Sequence, residues 1–587
     1  MAGFATVAAV LAAFAVFIRI IYLRLLPKPI PGLPCHQDST NRILGDAPYF
    51  IEIDNAGGFW LKFFTDLLSK TKTPIAQFFP GPFDRTHVVI ADYREARDLL
   101  SKRSKDLSRG YTNNMIWQGV IPEHFIAMED AHPSFKDAKF LTKDLMTPSF
   151  LHGVSAPASY KTVRKFIELW KSKAAATDGL PFEADEDLEA FTYDIMNTAA
   201  FGVPVEESYI AERLRSMKRG PSLEIPRQAG SDEKDKKEPL KVATFLPVER
   251  PELLFALDTL NKRVTGAFRA MIPSIFFLFD NLRPTIQRAF RSKRSILQSQ
   301  IDRSVEKLSR SDGEENFASA VDYVVSREKL AAENAGRKPA FDSLRMSDML
   351  WGYIVGGQDS THSTLCFTAK YLGSNQDVQS KLRENLRAAY PEAVAEKREP
   401  TIDEIVKTHV PYLDAFIEET LRLSSPAGAI MKDTLRDMDI VGYHVPKGTP
   451  IMFLLTGPTI AEAGAVVEEK KRSETSQKLN NEGVEDWGRS RFPAELFLPE
   501  RWLQPGENGE VKFNGQAGPF MSFSLGPRGC WGKRLAYLEL KLIITLLVWN
   551  LDFGRLPTEM EDDGLVEGLF TKPKSCLVNL KAVKITQ

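Results

Sequence analysis

The 587-residue sequence has only four cysteines, and none of them forms a CxxC pair. Cys35, Cys366, Cys530 and Cys576 lie far apart, without the dense spacing that is typical of disulfide scaffolds or zinc sites. Such cysteine usage favours a protein body in a reducing compartment. The sequence also lacks an excess of charge, since 76 Lys and Arg residues nearly balance 77 Asp and Glu residues. This balance argues against nucleic acid as a partner.

Long hydrophobic runs are absent except at the N-terminus. Phe4 to Leu23 is apolar apart from Arg19, and as a helix it would extend for roughly 30 Å, enough to cross a bilayer. No basic side chain precedes the run, whereas a cleaved signal peptide would have one there. Residues 1–26 are therefore predicted to be an uncleaved membrane anchor. The basic residues Arg24 and Lys28 after the run favour a body on the cytoplasmic side.

The remaining chain has one proline-rich segment and two charged ones. Prolines are concentrated between Pro27 and Pro34, so residues 27–47 are predicted to form a semi-rigid hinge. No comparable break follows, and residues 48–587 are predicted to form one catalytic domain. Gly220–Lys241 and Glu462–Arg491 are charged and poor in apolar residues, which indicates solvent-exposed loops or frayed helices.

Hydrophobic periodicity predicts a mostly helical domain with a minor sheet. Helical spacing recurs over residues 157–173, 185–201, 251–270, 283–308, 347–372, 411–423 and 533–550. Strand-like segments are few and short, at residues 86–90, 438–445, 450–454 and 576–583.

The strongest local signal is a glycine-rich loop that ends in one cysteine and runs into a long amphipathic helix. The loop, residues 523–532, reads FSLGPRGCWG. Its glycines let backbone N–H groups approach the sulfur of Cys530 closely, which stabilises a thiolate and tunes a bound metal. The N-terminus of the following helix favours the thiolate further. Cys530 is therefore a candidate metal ligand, and the alternative is a small buried residue that happens to precede a helix.

Two other motifs precede this loop in the chain. Glu419 and Arg422, in the sequence ETLR, lie three residues apart on one helical face. Residues 355–361, VGGQDST, place two adjacent glycines inside a helical pattern, at a cost of about 1 kcal/mol each relative to alanine. A cofactor or substrate close to the backbone would explain that cost. The alternatives are an exposed ion pair for the first motif and a contact between helices for the second.

In this combination and order, the motifs resemble those of the cytochrome P450 family of haem-thiolate monooxygenases. Residues 523–532 match FxxGxRxCxG, residues 419–422 match ExxR, and residues 356–361 resemble AGx(D/E)TT. The overall pattern resembles that of fungal members that act in secondary-metabolite biosynthesis. The resemblance implies a mainly α fold with a minor β-sheet, the cytochrome P450 fold, preceded by the N-terminal transmembrane helix.

The resemblance also implies a cofactor and partners. The expected cofactor is heme b, with Cys530 as the ligand to its iron, and O2 and NADPH-derived electrons are the expected co-substrates. NADPH–cytochrome P450 reductase is the expected electron donor. Lys533, Arg534 and Lys541 would form a basic face that binds it, and the alternative for these three residues is a solvated helix face. The expected location is the endoplasmic reticulum membrane, with the catalytic domain facing the cytoplasm. Ile272–Phe279 is either a segment that enters the membrane interface or a core helix.

The resemblance carries roles to individual residues. Those expected to act in oxygen activation are Asp359, Ser360 and Thr361. Those expected to bind the cofactor are Cys530, Arg528, Phe523, Gly526, Gly532, Lys139 and Lys432. Those expected to form a structural ion cluster are Glu419, Arg422 and Arg501. Those expected to contact the substrate are Tyr353, Ile354, Gly357, Ala427, Ile430, Leu569 and Phe570.

The expected reaction is the insertion of one oxygen atom from O2 into a hydrophobic small molecule, by hydroxylation or epoxidation. Ser360 departs from the family's usual threonine, but it keeps the hydroxyl, so proton delivery is expected to survive. A haem-thiolate isomerase or dehydratase that does not require O2 is one alternative, although it commonly lacks the acid–alcohol pair. A non-catalytic haem protein is the other, although it has no use for apolar substrate segments.

Overall fold

The computed structural model describes residues 2–56, 58–82, 84–217, 241–270, 272–310, 317–462, 465–479, 492–506 and 509–584. Its α-helices are α1 (Ala2–Leu25), α2 (Ala47–Asn55), α3 (Leu61–Thr71), α4 (Tyr93–Arg97), α5 (Tyr111–Gln118), α6 (Phe135–Leu141), α7 (Pro148–Phe150), α8 (Ala156–Thr177), α9 (Asp185–Phe201), α10 (Tyr209–Met217), α11 (Glu252–Arg269), α12 (Pro273–Asp280), α13 (Pro284–Arg310), α14 (Ala320–Asn334), α15 (Leu344–Ser374), α16 (Gln376–Ala389), α17 (Pro391–Ala395), α18 (Ile402–Lys407), α19 (Pro411–Leu423), α20 (Glu474–Leu479) and α21 (Lys533–Asn550).

The strands are shorter than the helices and form small sheets. They are β1 (Ile75–Phe78), β2 (His87–Ile90), β3 (Leu107–Ser108), β4 (Phe182–Glu183), β5 (Ala429–Thr434), β6 (Met438–Ile440), β7 (Tyr443–Val445), β8 (Pro450–Leu454), β9 (Leu503–Pro505), β10 (Val511–Phe513), β11 (Leu551–Gly554), β12 (Leu565–Glu567), β13 (Thr571–Pro573) and β14 (Leu577–Ala582). The predicted mainly α architecture with a minor β-sheet is confirmed.

The largest sheet has the strand order β1-β2-β8-β5-β3. Its neighbouring strands are antiparallel except β2 and β8, which are parallel, with Val88 opposite Ile451. All four residues of β2 and all five of β8 are buried, as expected for central strands that are covered on both faces. The other sheets contain two or three strands each.

Helix α15 runs for 31 residues through the core of the domain. It begins where the side chain of Ser343 accepts a hydrogen bond from the N–H of Met346, an ordinary helix N-cap. It packs along α9 and also contacts α13, α16, α19 and α21. Because buried residues line most of its surface, α15 holds a fixed position relative to the rest of the domain.

The N-terminal segment was predicted to be a membrane anchor. Within the part of the chain that the structure describes, no helix combines the length and the apolarity needed to cross a membrane. The side chains of residues 2–5 and 8 in α1 lie outside the described residues, and part of the predicted anchor lies there with them. The anchor stays a prediction.

Both charged segments lie partly outside the described residues. Almost all of residues 220–241 lie outside the described residues. In the second segment, Arg472 binds Asp92 through two hydrogen bonds of 2.7 and 2.8 Å, and its side chain is only 7% exposed. Ser476 and Leu479 are also buried. The prediction of solvent exposure is therefore wrong at these three residues. At Arg472 the reason is that a distant acidic group compensates its charge.

Candidate functional site

The cysteine loop precedes α21, and close backbone contacts fix its shape. Gly526 has φ of 73°, and a Cβ there would lie 1.8 Å from the carbonyl oxygen of Leu100. Only glycine fits this position without a shift of the backbone. The N–H of Cys530 donates a hydrogen bond of 2.7 Å to the carbonyl of Phe523, which closes the loop. Cys530 is accessible from the cavity that it lines rather than packed in the core, although the surrounding protein atoms desolvate its thiol.

The loop has opposing effects on the Cys530 thiol. Burial raises its pKa above the ordinary value, while hydrogen bonds from the backbone of Gly532 and Lys533 and the charge of Lys533 lower it. Both lowering contributions come from the end of the loop and the start of α21, the segments that the sequence predicted to favour a thiolate. A cation that binds the sulfur would complete the deprotonation, because coordination favours the thiolate strongly.

Cys530 lines a cavity of about 1160 Å³. The cofactor-binding residues expected from the sequence that share this cavity are Phe523, Gly526, Arg528 and Lys139. The cavity is also lined by Phe125, Phe135, Leu151 and Trp531, so its walls are largely apolar. Lys432 and Gly532 are not among its lining residues. Lys432 instead lines an adjoining cavity, and Gly532 lies behind the sulfur, where a Cβ would be 3.9 Å from Sγ.

Three cations meet where the two cavities adjoin. Arg109 and Arg528 line both cavities, and Lys432 lines the second. Burial and the neighbouring charge of Arg528 lower the pKa of Arg109 to about 9. Burial, followed by the charges of Arg109 and Arg528, lowers the pKa of Lys432 to about 8. Asp130 binds Arg528 at 3.0 Å but does not offset this crowding, so the group has the charge to hold a further anion.

Arg109 was not predicted from the sequence. It follows the two-residue strand β3, and the N-terminal half of the chain has no motif that would single it out. Its guanidinium donates to the carbonyl of Ile126 at 3.2 Å, which positions it at the junction of the cavities. A cation directly after a short strand is too common a pattern to have identified this residue.

Glu419, Arg422 and Arg501 form a buried ion cluster. Arg422 binds both carboxylate oxygens of Glu419 at 2.8 and 2.9 Å, and Arg501 binds one of them at 2.9 Å. The indole of Trp502 and the N–H of Leu498 donate the remaining hydrogen bonds to the carboxylate, at 3.0 and 2.8 Å. The carboxylate is thus fully compensated, although Glu419 and Arg422 are each 0% exposed.

The ion cluster is connected to the cysteine loop through α19. The hydroxyl of Ser522, next to the loop, donates a hydrogen bond of 2.6 Å to the carbonyl of Leu421. Glu418 on α19 accepts a bond of 2.6 Å from the hydroxyl of Tyr537 on α21. These bonds hold both ends of the loop against the helix that carries the cluster. The cluster therefore supports the loop and does not line the cavity of Cys530.

The two glycines of the α15 motif face different surroundings. A Cβ at Gly356 would have no heavy atom within 4 Å, whereas one at Gly357 would lie 2.3 Å from Sδ of Met196 on α9. Gly356 therefore borders open space, and Gly357 permits close packing of two helices. The expected substrate contact of Gly357 is not seen, because α9 covers that position.

The acid and the alcohol of this motif lie on the same helix. The hydroxyl of Ser360 donates a hydrogen bond of 2.7 Å to the carbonyl of Gly356. Burial raises the pKa of Asp359 to about 6. The side chain of Asn261 on α11 donates to Asp359 at 3.4 Å, and Thr361 is buried. An acid with this pKa exchanges its proton readily near neutral pH.

The second cavity has a volume of about 340 Å³. The expected substrate residues that line it are Ala427, Ile430, Leu569 and Phe570. Trp117 also lines it, as do Val264, Phe268 and Arg269, which were not predicted from the sequence. Tyr353 and Ile354 differ from the prediction, since both are buried in the core and line none of the cavities described here. Tyr353 packs against Phe150 with ring centroids 6.3 Å apart.

Comparison with known proteins agrees with these features. A model of the cytochrome P450 family matches residues 49–458 and 492–580. Cytochrome P450 monooxygenase TRI13 of Fusarium sporotrichioides is 31% identical over 585 residues, which cover 97% of this chain and 98% of the relative. Cytochrome P450 monooxygenase GME11363 of Pestalotiopsis microspora is 32% identical over 589 residues, which cover 99% of both. The chain therefore belongs to the cytochrome P450 family of oxygen-incorporating oxidoreductases.

Proposed function

We propose that the protein inserts one oxygen atom from O2 into a hydrophobic small molecule, by hydroxylation or epoxidation. The observation that carries this proposal is the junction of two cavities, one lined by Cys530 and the other lined mainly by apolar side chains. Similarity to fungal monooxygenases along nearly the whole chain supports secondary-metabolite biosynthesis as the setting. The electrons would come from NADPH through NADPH–cytochrome P450 reductase.

The family implies a haem iron, and the residues present fit this group. The Cys530 sulfur would bind the iron, in a cavity with largely apolar walls. Arg109, Lys432 and Arg528 would hold the two propionates of heme b, because these carboxylates relieve the repulsion among the three cations. Lys139 lines the same cavity and is a further candidate for this role. A haem with a thiolate ligand supplies O2 activation through O–O bond cleavage.

The residues of α15 would manage the protons of this reaction. Because its pKa is about 6, Asp359 holds a proton at lower pH and can release it at neutral pH. Ser360 is one residue further along the helix, and its hydroxyl can rotate from the carbonyl of Gly356 to a neighbouring acceptor. Open space beside Gly356 leaves room for such an acceptor. Asp359 thus acts as the proton source and Ser360 as the donor.

The substrate would be mainly apolar. Ala427, Ile430, Leu569 and Phe570 line the second cavity and contribute no charge to it. The polar groups Asn113 and Thr265 lie among them and would orient a hydroxyl or carbonyl of the substrate.

Membrane association at the endoplasmic reticulum, with the domain facing the cytoplasm, is part of the proposal. Val10, Phe14 and Phe17 of α1 are 63%, 59% and 58% exposed, which favours a helix that needs an apolar environment. Leu278 and Phe279 of α12 are each 65% exposed and would also enter the membrane interface.

Isotope labelling tests the proposed reaction. Microsomes that contain the protein and its reductase are incubated with NADPH, a library of fungal metabolites and 18O2. We expect a product that carries one 18O atom and is not formed by microsomes with the Cys530→Ala variant. A product that forms without 18O, or without NADPH, would instead support an isomerase or dehydratase.

A further inference from the structure

Two cysteines outside the haem-binding loop meet a histidine and an aspartate in the fold. His362 and Cys366 lie one turn apart on α15, Asp185 is the first residue of α9, and Cys576 directly precedes β14. Although the sequence spacing of these residues argues against a zinc site, the fold brings them together from three separate segments. We propose that they form a binding site for a Zn²⁺-like divalent cation.

The distances between the donor atoms suit a metal ion. Nε2 of His362 lies 3.0 Å from Oδ1 of Asp185, and Sγ of Cys366 lies 3.7 Å from the same oxygen. All three donor atoms lie within 4.8 Å of one another. In a tetrahedral zinc site with bonds of about 2.0–2.3 Å, neighbouring donors are roughly 3.3–3.8 Å apart. Small side-chain rotations are therefore enough to bring the three onto one ion.

Cys576 would be the fourth ligand, although its sulfur is not among the three donor atoms that lie within 4.8 Å of one another and its side chain would have to turn toward the ion. Its thiol donates a hydrogen bond of 3.6 Å to the carbonyl of Cys366, and the two thiols also interact with each other. Both cysteines and His362 are at most 3% exposed, so the site is closed to competing water on this side. Thiolate and imidazole ligands favour zinc over magnesium or calcium, and a carboxylate oxygen can complete a tetrahedral zinc site.

The charges of the cluster also suit this ion. Without metal, Lys572 donates to both oxygens of Asp185, at 2.8 Å to Oδ1 and 2.6 Å to Oδ2. A bound ion would take Oδ1 and leave Lys572 on Oδ2. Binding replaces the two thiol protons, which leave to solvent, by one divalent cation. The net charge of the buried cluster is unchanged, and no uncompensated charge is created in the core.

Metal analysis of the full-length haem protein tests this site. The protein is kept reduced, dialysed against a chelator, supplied with ZnCl2 and desalted, and its zinc and iron are then measured by mass spectrometry. We expect about one zinc per iron, since iron reports the haem. X-ray absorption at the zinc edge should show two sulfur and two nitrogen or oxygen ligands.

Variants separate this site from adventitious binding. Cys366→Ser and His362→Gln should each weaken zinc binding by at least about 10-fold. Cys35→Ser, which changes a cysteine outside the cluster, should leave it unchanged. Lys572→Met should strengthen binding, because it removes an ammonium that competes for Asp185. The iron content and the haem spectrum of each variant show whether it has folded.

Three results would overturn the proposal. One is less than about 0.1 zinc per iron in the folded parent protein after incubation with ZnCl2. Another is a zinc spectrum with only nitrogen and oxygen ligands, since it would mean surface binding alone. The third is a Cys366–Cys576 disulfide in the protein as purified, detected by peptide mapping, because the pair would then be a redox pair and not a ligand pair.

Discussion

Glu419 is the central residue of the buried ion cluster, because Arg422 and Arg501 both bind its carboxylate. We expect Glu419→Gln to lower the free energy of unfolding by about 3–5 kcal/mol, because Arg422 and Arg501 would lose the charge that compensates them. The measurement is thermal unfolding together with the yield of haem-loaded protein. Glu384→Gln, an exposed position on α16, is the matched control and should change neither. Equal behaviour of the two variants would mean that the cluster is not needed for stability.

The buried carboxyl of Asp359, which the proposed proton delivery needs, should make the folded protein less stable at high pH. Because burial raises its pKa to about 6 in the folded chain, its favourable contribution is complete below pH 4 and is lost as the pH rises through 6. The charged groups that act on it are His362, Lys572, Glu189 and Asp258.

We therefore expect Asp359→Asn to stabilise the protein by about 1–2 kcal/mol at pH 8 and by nothing at pH 4, since partial exposure reduces the full effect. Unfolding at both pH values checks this difference, and NADPH oxidation should fall by roughly 100-fold in the same variant. A destabilised variant at pH 8 would contradict the proposed origin of the pKa.

Ser360 should affect coupling more than rate. We expect Ser360→Ala to leave NADPH oxidation nearly intact while electrons are diverted to hydrogen peroxide, because the hydroxyl that now contacts Gly356 is lost. Ser360→Thr restores the family's usual residue and is the matched control, with equal or better coupling. Parallel measurement of NADPH, peroxide and product decides the outcome. An unchanged product yield per NADPH in Ser360→Ala would exclude the residue from proton delivery.

The sequence motifs predicted which residues are important better than they predicted which neighbours those residues contact. Glu419, Arg422 and Arg501 meet as expected, because two of them share a helical turn and the third follows in a short turn at Pro499–Trp502. Arg109 could not be predicted, since its role depends on Lys432 and Arg528, more than 300 residues away in the sequence. Gly357 could not be predicted either, because Met196 on another helix determines its surroundings.

Among the elements of the fold, the cysteine loop depends most on one glycine. We expect Gly526→Ala to cost about 3–5 kcal/mol and to reduce haem incorporation, because it combines a positive φ with a collision against the backbone of Leu100. Gly509→Ala is the matched control, since Gly509 has φ of 78° but no atom within 4 Å of the new Cβ. The control should lose only about 1 kcal/mol.

Absorbance of the reduced carbonyl complex per mole of protein, together with the melting temperature, measures both variants. If Gly526→Ala and Gly509→Ala behave alike, the contact with Leu100 does not shape the loop.

Local periodicity predicted the helices well. The predicted segments 185–201, 411–423 and 533–550 coincide with α9, α19 and α21, whose ends are marked by acidic residues, proline or glycine. The strands were harder, because β3 and β4 have two residues each and form only where a distant partner is available. Arg472 shows the same limit, since Asp92, which draws it out of solvent, lies 380 residues earlier.

Residues 1–26 should attach the whole molecule to membranes. We expect deletion of residues 1–26 to release much of the protein from membranes while the haem spectrum is retained, because the residues that line the two cavities lie outside this segment. Cell fractionation and the reduced carbonyl spectrum are the measurements. Adding Leu278→Ser and Phe279→Ser to the truncated chain should release the remainder. Loss of the haem spectrum in the truncated chain would mean that residues 1–26 are part of the fold.

The parallel pairing of β2 with β8 has a consequence for biosynthesis. Val88 lies opposite Ile451, so β2 leaves the ribosome 363 residues before its partner. At about 5–20 residues per second, the delay is roughly 20–70 s. During that time the apolar residues Val88, Val89 and Ile90 have an unpaired edge, and they can pair with other chains. Newly made chains should therefore depend on chaperones until translation has passed residue 454, and slower translation should increase their aggregation.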